Sequence, residues 1–375
     1  MVTDVAKLVQ EFARTANSMM GLENAAGIKS QWNSRLPGVK RVLRRALLLG
    51  TGSILIVSAS ALADTTTTTS PNSTSTSVVK TVPVAPLTGL ADPQRITRNR
   101  AALTIKIDNT PQAMPQAGIQ DADVVYEEIV EGGITRLAAI FNSRVPTVVG
   151  PVRSVRRTDR ELVFPIGGIF AFSGGAQYAL RSIATAPVAL YDQSNSGPAM
   201  YRDLRRYPPH NLFANATLLM KKSAKPRPTR PLFNYLLAGQ TTQGPKVKSF
   251  VVGFQSGYAV TYVWNAKTRS WDRSLFGRPD VTANGVLLSP KNVIVMNVQY
   301  IGGVGVLDSY AQLVGSGPVE VFSNGHLERG NWFRHHIGQS TTYVNSTGHL
   351  LRLEPGRTWV ELLDTSEHVA ITTRP

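Results

Sequence analysis

The 375-residue sequence has no cysteine. That absence removes thiol nucleophiles, disulfide staples, thiolate metal centres and lipid attachment through an N-terminal cysteine. Stability must then come from core packing. No His-Glu-x-x-His helix is present, and His335-His336 are adjacent rather than on one helical face. No Gly-x-Ser-x-Gly elbow or phosphate-binding loop occurs, and Asp121-Ala-Asp123 lacks the loop of a calcium site. No metal and no cofactor is therefore expected. Any catalysis has to rest on carboxylates, arginines and a histidine.

Acidic residues are also scarce. The 24 Asp+Glu face 40 Lys+Arg, a formal net charge of +16. Part of this is local, because the first 63 residues hold 8 Lys+Arg and 3 Asp+Glu. A basic exported domain favours polyanions such as wall polymers or anionic lipid head groups; solubility is the plainer explanation. The 42% hydrophobic content supplies one or two ordinary cores.

Long apolar runs are missing except near the start. Lys40-Arg-Val-Leu-Arg-Arg45 precedes Ala46–Ala63, which carries no charge and ends Ala61-Leu62-Ala63. This is the arrangement of a signal peptide with an A-x-A cleavage site, or of an uncleaved anchor. Residues 1–39 are then a cytoplasmic tail or an over-called start, and residues 40–63 the signal or anchor. Residues 64–83 are a Thr/Ser-rich linker, too poor in large side chains to bury a core. The bulk of the chain is expected outside the cytoplasm, secreted or membrane-anchored and facing the wall.

The remainder predicts an α+β fold, with a mixed α/β region over 84–235 followed by a β-rich region over 245–375. Alternating β-branched residues predict strands at 102–108, 122–131 and 134–141, the last two joined by a Gly132-Gly133 hairpin turn. Gly168–Ser173 reads as a buried strand. Gly174-Gly175 then leads into a helix over 176–184, a geometry that can present free amides to an anion or merely satisfy the backbone. A helix over 214–222 is expected with Asn211 as its cap. Strands follow at 247–254, 258–264, 269–274, 292–300, 343–345, 350–353 and 358–363, with a hairpin over 319–329 through Asn324-Gly325. Trp264, Trp271, Trp332 and Trp359 suit either core packing or sugar stacking.

The stretch Gly150–Glu161 crowds Arg153, Arg156, Arg157 and Arg160 against only Asp159 and Glu161. Thr158, Glu161 and the apolar run after them form a capping-box signature for a helix that ends near Pro165. Helix amino ends already carry partial positive charge, so these arginines call for an anion or a buried carboxylate. Arg136, Arg153, Ser154, Arg156 and Asp159, with Asp108-Asn109 at a strand end and His210-Asn211 after a rigid Pro-Pro, are the candidate binding residues. Asp108, Glu127 and His210 are the catalytic candidates. Two structural alternatives stand beside them: a glutamate of the 122–131 strand, Glu127 or Glu128, paired with Arg136 across the hairpin, and an internal salt-bridge network that takes no ligand. Nucleic acid is not expected as a partner, because the basic run 221–231 has no interleaved aromatics.

These motifs also carry a resemblance. Pro86-Leu-Thr-Gly89, Lys106-Ile-Asp-Asn109, Gln116-Ala-Gly118, Asp121-Ala-Asp123, Gly150-Pro-Val-Arg-Ser154, Ser173-Gly-Gly175, Pro209-His-Asn211 and Pro355-Gly-Arg-Thr-Trp359, in this order, resemble the YerB-like lipoprotein family over residues 84 to 365. The resemblance implies a cell-envelope protein with N- and C-terminal regions, and with no biochemical activity assigned to it. This chain departs from the family in lacking the lipobox cysteine. The expected function is binding of an anionic or peptide-like wall component through an arginine-rich cleft. The alternative is a carboxylate/histidine hydrolase or lyase acting on wall glycan.

Overall fold

The computed structural model describes residues 82–222, 228–255 and 257–373. The tail, the signal or anchor segment and most of the linker expected from sequence lie outside the described residues. Among those described, no helix is long and apolar enough to cross a membrane.

Strands β1 (Leu103–Asp108), β2 (Val124–Ile129) and β3 (Thr135–Phe141) form where the alternation predicts them, and every residue in them is buried. The Gly132-Gly133 turn joins β2 to β3 with Gly132 at φ 77°, a backbone region that favours glycine. Beyond β1 lie two short parallel strands, β4 (Ile169–Ala171) and β5 (Ala189–Tyr191).

On the other side of β2 the chain's final third joins the same sheet. Thr358–Asp364 runs parallel to β2, and beyond it come Asn292–Val298, Gly315–Ser323, His326–Arg334 and Thr342–Asn345. The resulting ten-stranded sheet therefore draws strands from both regions expected from sequence. A five-stranded sheet packs against it, in the order Arg278–Pro279, Ser270–Leu275, Ala259–Asn265, Val247–Gly253, Val369–Thr373.

The contact between the two sheets is aromatic. Phe250 stacks on Phe322 with ring centroids 3.6 Å apart, and Trp271 meets both edge-on. Trp271, Trp332 and Trp359 are all buried, so these rings serve the core. Among the described residues helices are few and short: α1 (Arg157–Ile166), α2 (Gln177–Ile183) and α3 (Ala216–Lys222), with a single turn at Ile96–Asn99. The fold is sheet-rich, consistent with α+β in its coarse form but largely β.

Four local expectations are corrected. Helix α1 begins before Thr158, because Asp159 Oδ2 reaches back to accept from the Arg156 backbone N–H at 2.6 Å and makes Arg156 the cap position. It also continues through Pro165 to Ile166. The cap of α3 is Asn215, whose Oδ1 accepts from Leu218 N, and not Asn211, which precedes a short strand over Leu212–Ala214. Residues 350–353 form isolated bridges rather than a strand.

Candidate functional site

The register of β2, β3 and β1 sets Glu128, Arg136 and Asp108 side by side across one face of the sheet. Arg136 thus lies between two acids, yet it bonds to neither. Glu128 turns to Lys106, which also holds Asp159 Oδ1 at 2.8 Å; all three side chains are fully buried. Asp108, at the end of β1, turns outward to the chain after β3. Its Oδ2 lies 2.7 Å from His210 Nδ1 and 3.0 Å from Arg153 Nε, the latter a close ion pair without hydrogen-bond alignment. Its Oδ1 accepts from both the backbone and the hydroxyl of Thr110.

Arg136 is left with one hydrogen bond, from Nη1 to the carbonyl of Ser154 at 3.0 Å. Arg156 Nη1 donates to the same oxygen at 3.4 Å, so two guanidinium groups converge on one carbonyl. The Arg136 Nε is buried without a partner. Burial, with Arg156 and Arg153 alongside, pulls this guanidinium down to about 10. Arg156 is itself held by Glu131, with Nε and Nη2 each 2.7 Å from Oε2. Burial pushes the Glu131 carboxyl up, but Arg156 pulls it below its ordinary value. Three arginines therefore share two carboxylates, Asp108 and Glu131. The surplus cation faces a surplus acid, because Glu128 and Asp159 share the single Lys106; what Arg136 lacks is a bonded carboxylate rather than net charge.

The asparagines point elsewhere. Asn109 is buried and donates to Glu127 Oε1 and Thr135 Oγ1 while accepting from Gln116. Asn211 Oδ1 accepts from Arg202 at 2.6 Å, away from Asp108. Ser154 Oγ lies 3.4 Å from Ser173 Oγ at the mouth of the glycine turn. Among the sequence candidates, the structure brings together Asp108, Arg136, Arg153, Ser154, Arg156 and His210.

Asp159 and Glu127 are drawn off into the interior. Neither Glu127 nor Glu128 pairs with Arg136 across the hairpin: Glu128, its cross-strand neighbour, binds Lys106. Glu127 Oε2 is 2.7 Å from Arg273 Nη2 of the second sheet, and neither side chain has measurable exposure. Arg273 also binds Asp280, donates from Nε to the Tyr262 hydroxyl oxygen at 3.3 Å, and lies 4.4 Å over the Trp359 ring. Thr158 and Glu161, read from sequence as a cap, instead accept from the backbone N–H groups of Ala311 and Leu313 and pin that segment to α1. Arg157 completes this contact with Asp308 at 3.2 Å and the Tyr310 ring at 4.3 Å.

Sequence reasoning passed over Glu131, Thr110 and Arg273. Glu131 borders the Gly-Gly turn, where an acid facing an arginine-rich loop is a readable signal. Arg273 sits between Trp271 and Leu275 on the inward side of an alternating strand, a position where a cation requires a buried partner.

Two stretches of the chain match known family models. Residues 87–229 match the N-terminal domain of a protein of unknown function, DUF3048, and residues 250–360 match its C-terminal domain. The chain belongs to the DUF3048 family. It is 27% identical over 299 residues to the Bacillus subtilis (strain 168) protein described as "Putative lipoprotein YerB", covering 77% of this chain and 88% of that protein. The crystal structure of the B. subtilis YerB protein superposes with a TM-score of 0.67 at 26% identity, covering 76% of this chain and 99% of that one. The N-terminal DUF3048 region carries Asp108, Arg136, Arg153, Arg156 and His210, and the C-terminal region supplies Arg273.

The buried Lys106 cluster of this DUF3048 chain makes a pH prediction. Burial raises the Asp159 carboxyl to about 6, against the pull of Lys106. A raised carboxyl binds its proton more tightly in the folded state, so its contribution is full below its ordinary value and is lost as pH rises through about 6. Asp159→Asn removes that titration and keeps an oxygen for the Arg156 N–H. The melting temperature of the variant relative to the parent is expected to rise between pH 4 and pH 7. A difference that is flat or falls over that range rules the account out.

Proposed function

We propose that this protein acts outside the cytoplasm at the cell envelope, and binds an anionic group of a wall component through Arg136, Arg153 and Arg156, with His210 at the rim. The supporting observation is Arg136. It is a nearly buried cation with one carbonyl partner, an orphaned Nε–H and two further arginines beside it, and no carboxylate is bonded to it among the described residues. A carboxylate or phosphate supplies the missing bonded anion, and a desolvated contact of this kind is worth about 1.5–3 kcal/mol. The likeness to a protein described as a lipoprotein supports the envelope location. So does the signal-like segment at residues 40–63.

The test is binding of the full-length protein to isolated wall material, comparing the parent with Arg136→Met and with Arg153→Met. Each variant is expected to weaken binding by about 10-fold or more, as one desolvated charged contact is lost, with little loss of thermal stability for Arg136→Met. Full retention of binding in both variants removes the proposal.

One observation favours a second reading. Asp108 engages His210 through Nδ1, so the ring proton is directed to Nδ1 and Nε2 carries no hydrogen-bond partner among the described residues. That pair is suited to acid–base chemistry on wall glycan, with Asp108 orienting and His210 moving the proton. Glu127 is too buried and too firmly paired to take part. Release of soluble fragments from wall glycan, abolished by His210→Ala, is the result this reading requires.

A further inference from the structure

Away from the Asp108–Arg136 site, a groove of about 1020 Å³ opens between the start of the described chain, the end of α1 and the segment 228–237. Its walls are apolar and stiff, with Pro83, Pro86, Phe164, Pro165, Pro231 and Phe233 among them. Val82, Val84 and Leu237 stand 58%, 52% and 63% exposed along it. Among the described residues no acid lines it, but Arg95, Arg98, Arg230 and Arg352 do. None of these four forms an ion pair among the described residues, so each is free to meet a carboxylate. Arg352 spends one N–H on the Tyr235 carbonyl at 3.2 Å. The Tyr235 hydroxyl, also in the lining, is buried without a hydrogen-bond partner.

We propose that this groove is a docking site for an extended acidic segment of a partner protein, with apolar side chains against the proline and aromatic walls and carboxylates on the four arginines. Charge complementarity selects an anionic occupant. The protein's own linker does not meet that requirement, since residues 65–79 contain no Asp or Glu. The walls select a peptide over a glycan. Sugar hydroxyls need many side-chain acceptors and donors, and besides the arginines the lining offers little beyond Thr229 and Asn234. Thr229 is already engaged, donating to Arg100 O and accepting from Asn142. Aromatic-lined grooves are a recurrent seat for an extended peptide.

The experiment uses the full-length protein and a fluorescein-labelled octapeptide of alternating leucine and glutamate, read by anisotropy at low and moderate salt. Saturable binding that weakens with salt is expected. The Arg95→Glu, Arg230→Glu double variant is expected to weaken it at least tenfold while keeping the parent's binding to isolated wall material, which separates this groove from the Arg136 site. Both reversed residues are exposed, where substitutions move stability by only about 0.5 kcal/mol, so a melting curve matching the parent is expected as well. The proposal is overturned if the leucine–glutamine counterpart binds as well as the acidic peptide, or if the double variant keeps the parent affinity. It is overturned equally if inorganic polyphosphate or a peptide of residues 65–81 binds more tightly than the acidic peptide.

Discussion

Arg273→Ala is expected to unfold this protein more effectively than the loss of any surface ion pair, by about 3–5 kcal/mol in urea denaturation at neutral pH. Arg273 has no exposed surface and holds two carboxylates, Glu127 and Asp280. Burial works against its charge, but Glu127, Tyr262 and Glu361 together hold it more firmly protonated than a free arginine. Removing it leaves Glu127 in the core with only Asn109 and Thr135 as donors, beside Glu361, whose own carboxyl is pushed well up by burial and by Glu127. A domain's net stability is only about 5–15 kcal/mol, so a loss of this size removes much of it.

The position of the pair amplifies the effect, because Glu127 is on β2 and Arg273 on the second sheet, 146 residues later. The double variant Arg273→Met, Glu127→Gln should recover more than half of the loss, since a buried ion pair exchanged for neutral groups of similar volume is often nearly neutral. A loss under about 1 kcal/mol for Arg273→Ala, the range of an exposed pair, would falsify the view that this network joins the sheets.

The parts of this architecture that follow a local rule were legible in the sequence. The alternation in Leu103–Asp108 marked β1, and it placed Asp108 at a strand end where an acid can turn outward. The Gly132-Gly133 turn fixed the β2–β3 hairpin. From these, with the arginine surplus after Gly150, the grouping of Asp108, Arg153 and His210 could be anticipated.

What could not be read was where each charge finds its partner. Glu131 lies 25 residues before Arg156, and Glu127 finds Arg273 on the second sheet. Thr158 and Glu161 carry a good local capping signature, but backbone donors 153 and 152 residues away claim both side chains. Local propensity is worth about 1 kcal/mol at a cap. A buried N–H left without an acceptor costs about 1–3 kcal/mol, so the distant partner prevails. The same logic explains why most of the arginine surplus is met internally and why Arg136, set between two acids by register, is not.

Lys106→Ala is the second large effect expected, again about 3–5 kcal/mol at neutral pH. Lys106 projects from β1 on the face opposite Leu103, Ile105 and Ile107, into a region with no route to solvent, and is the cation for both Glu128 and Asp159. One ammonium already serves two carboxyls, Glu128 Oε2 has no partner, and the Asp159 carboxyl is raised to about 6. Without the lysine both carboxyls lose their only counter-charge, and folding must carry one or two of them protonated.

The sign of the pH dependence follows. Carboxyls raised in the folded state contribute fully below their ordinary values, and that contribution is lost as pH rises through the raised ones. The cost of Lys106→Ala should therefore be small near pH 4 and grow steadily to pH 8. Adding Glu128→Gln and Asp159→Asn to Lys106→Ala should flatten that slope, because nothing remains in the cluster to titrate. Asp159 also fixes the Arg156 N–H at the start of α1, so the single variant is expected to loosen the turn that carries Arg153, Ser154 and Arg156. Hydrogen exchange at the Arg156 amide measures this directly: faster exchange at pH 8 than at pH 5, beyond the intrinsic pH effect, is the expected result. Unchanged protection at both pH values would separate the buried cluster from the arginine face and restrict its role to stability.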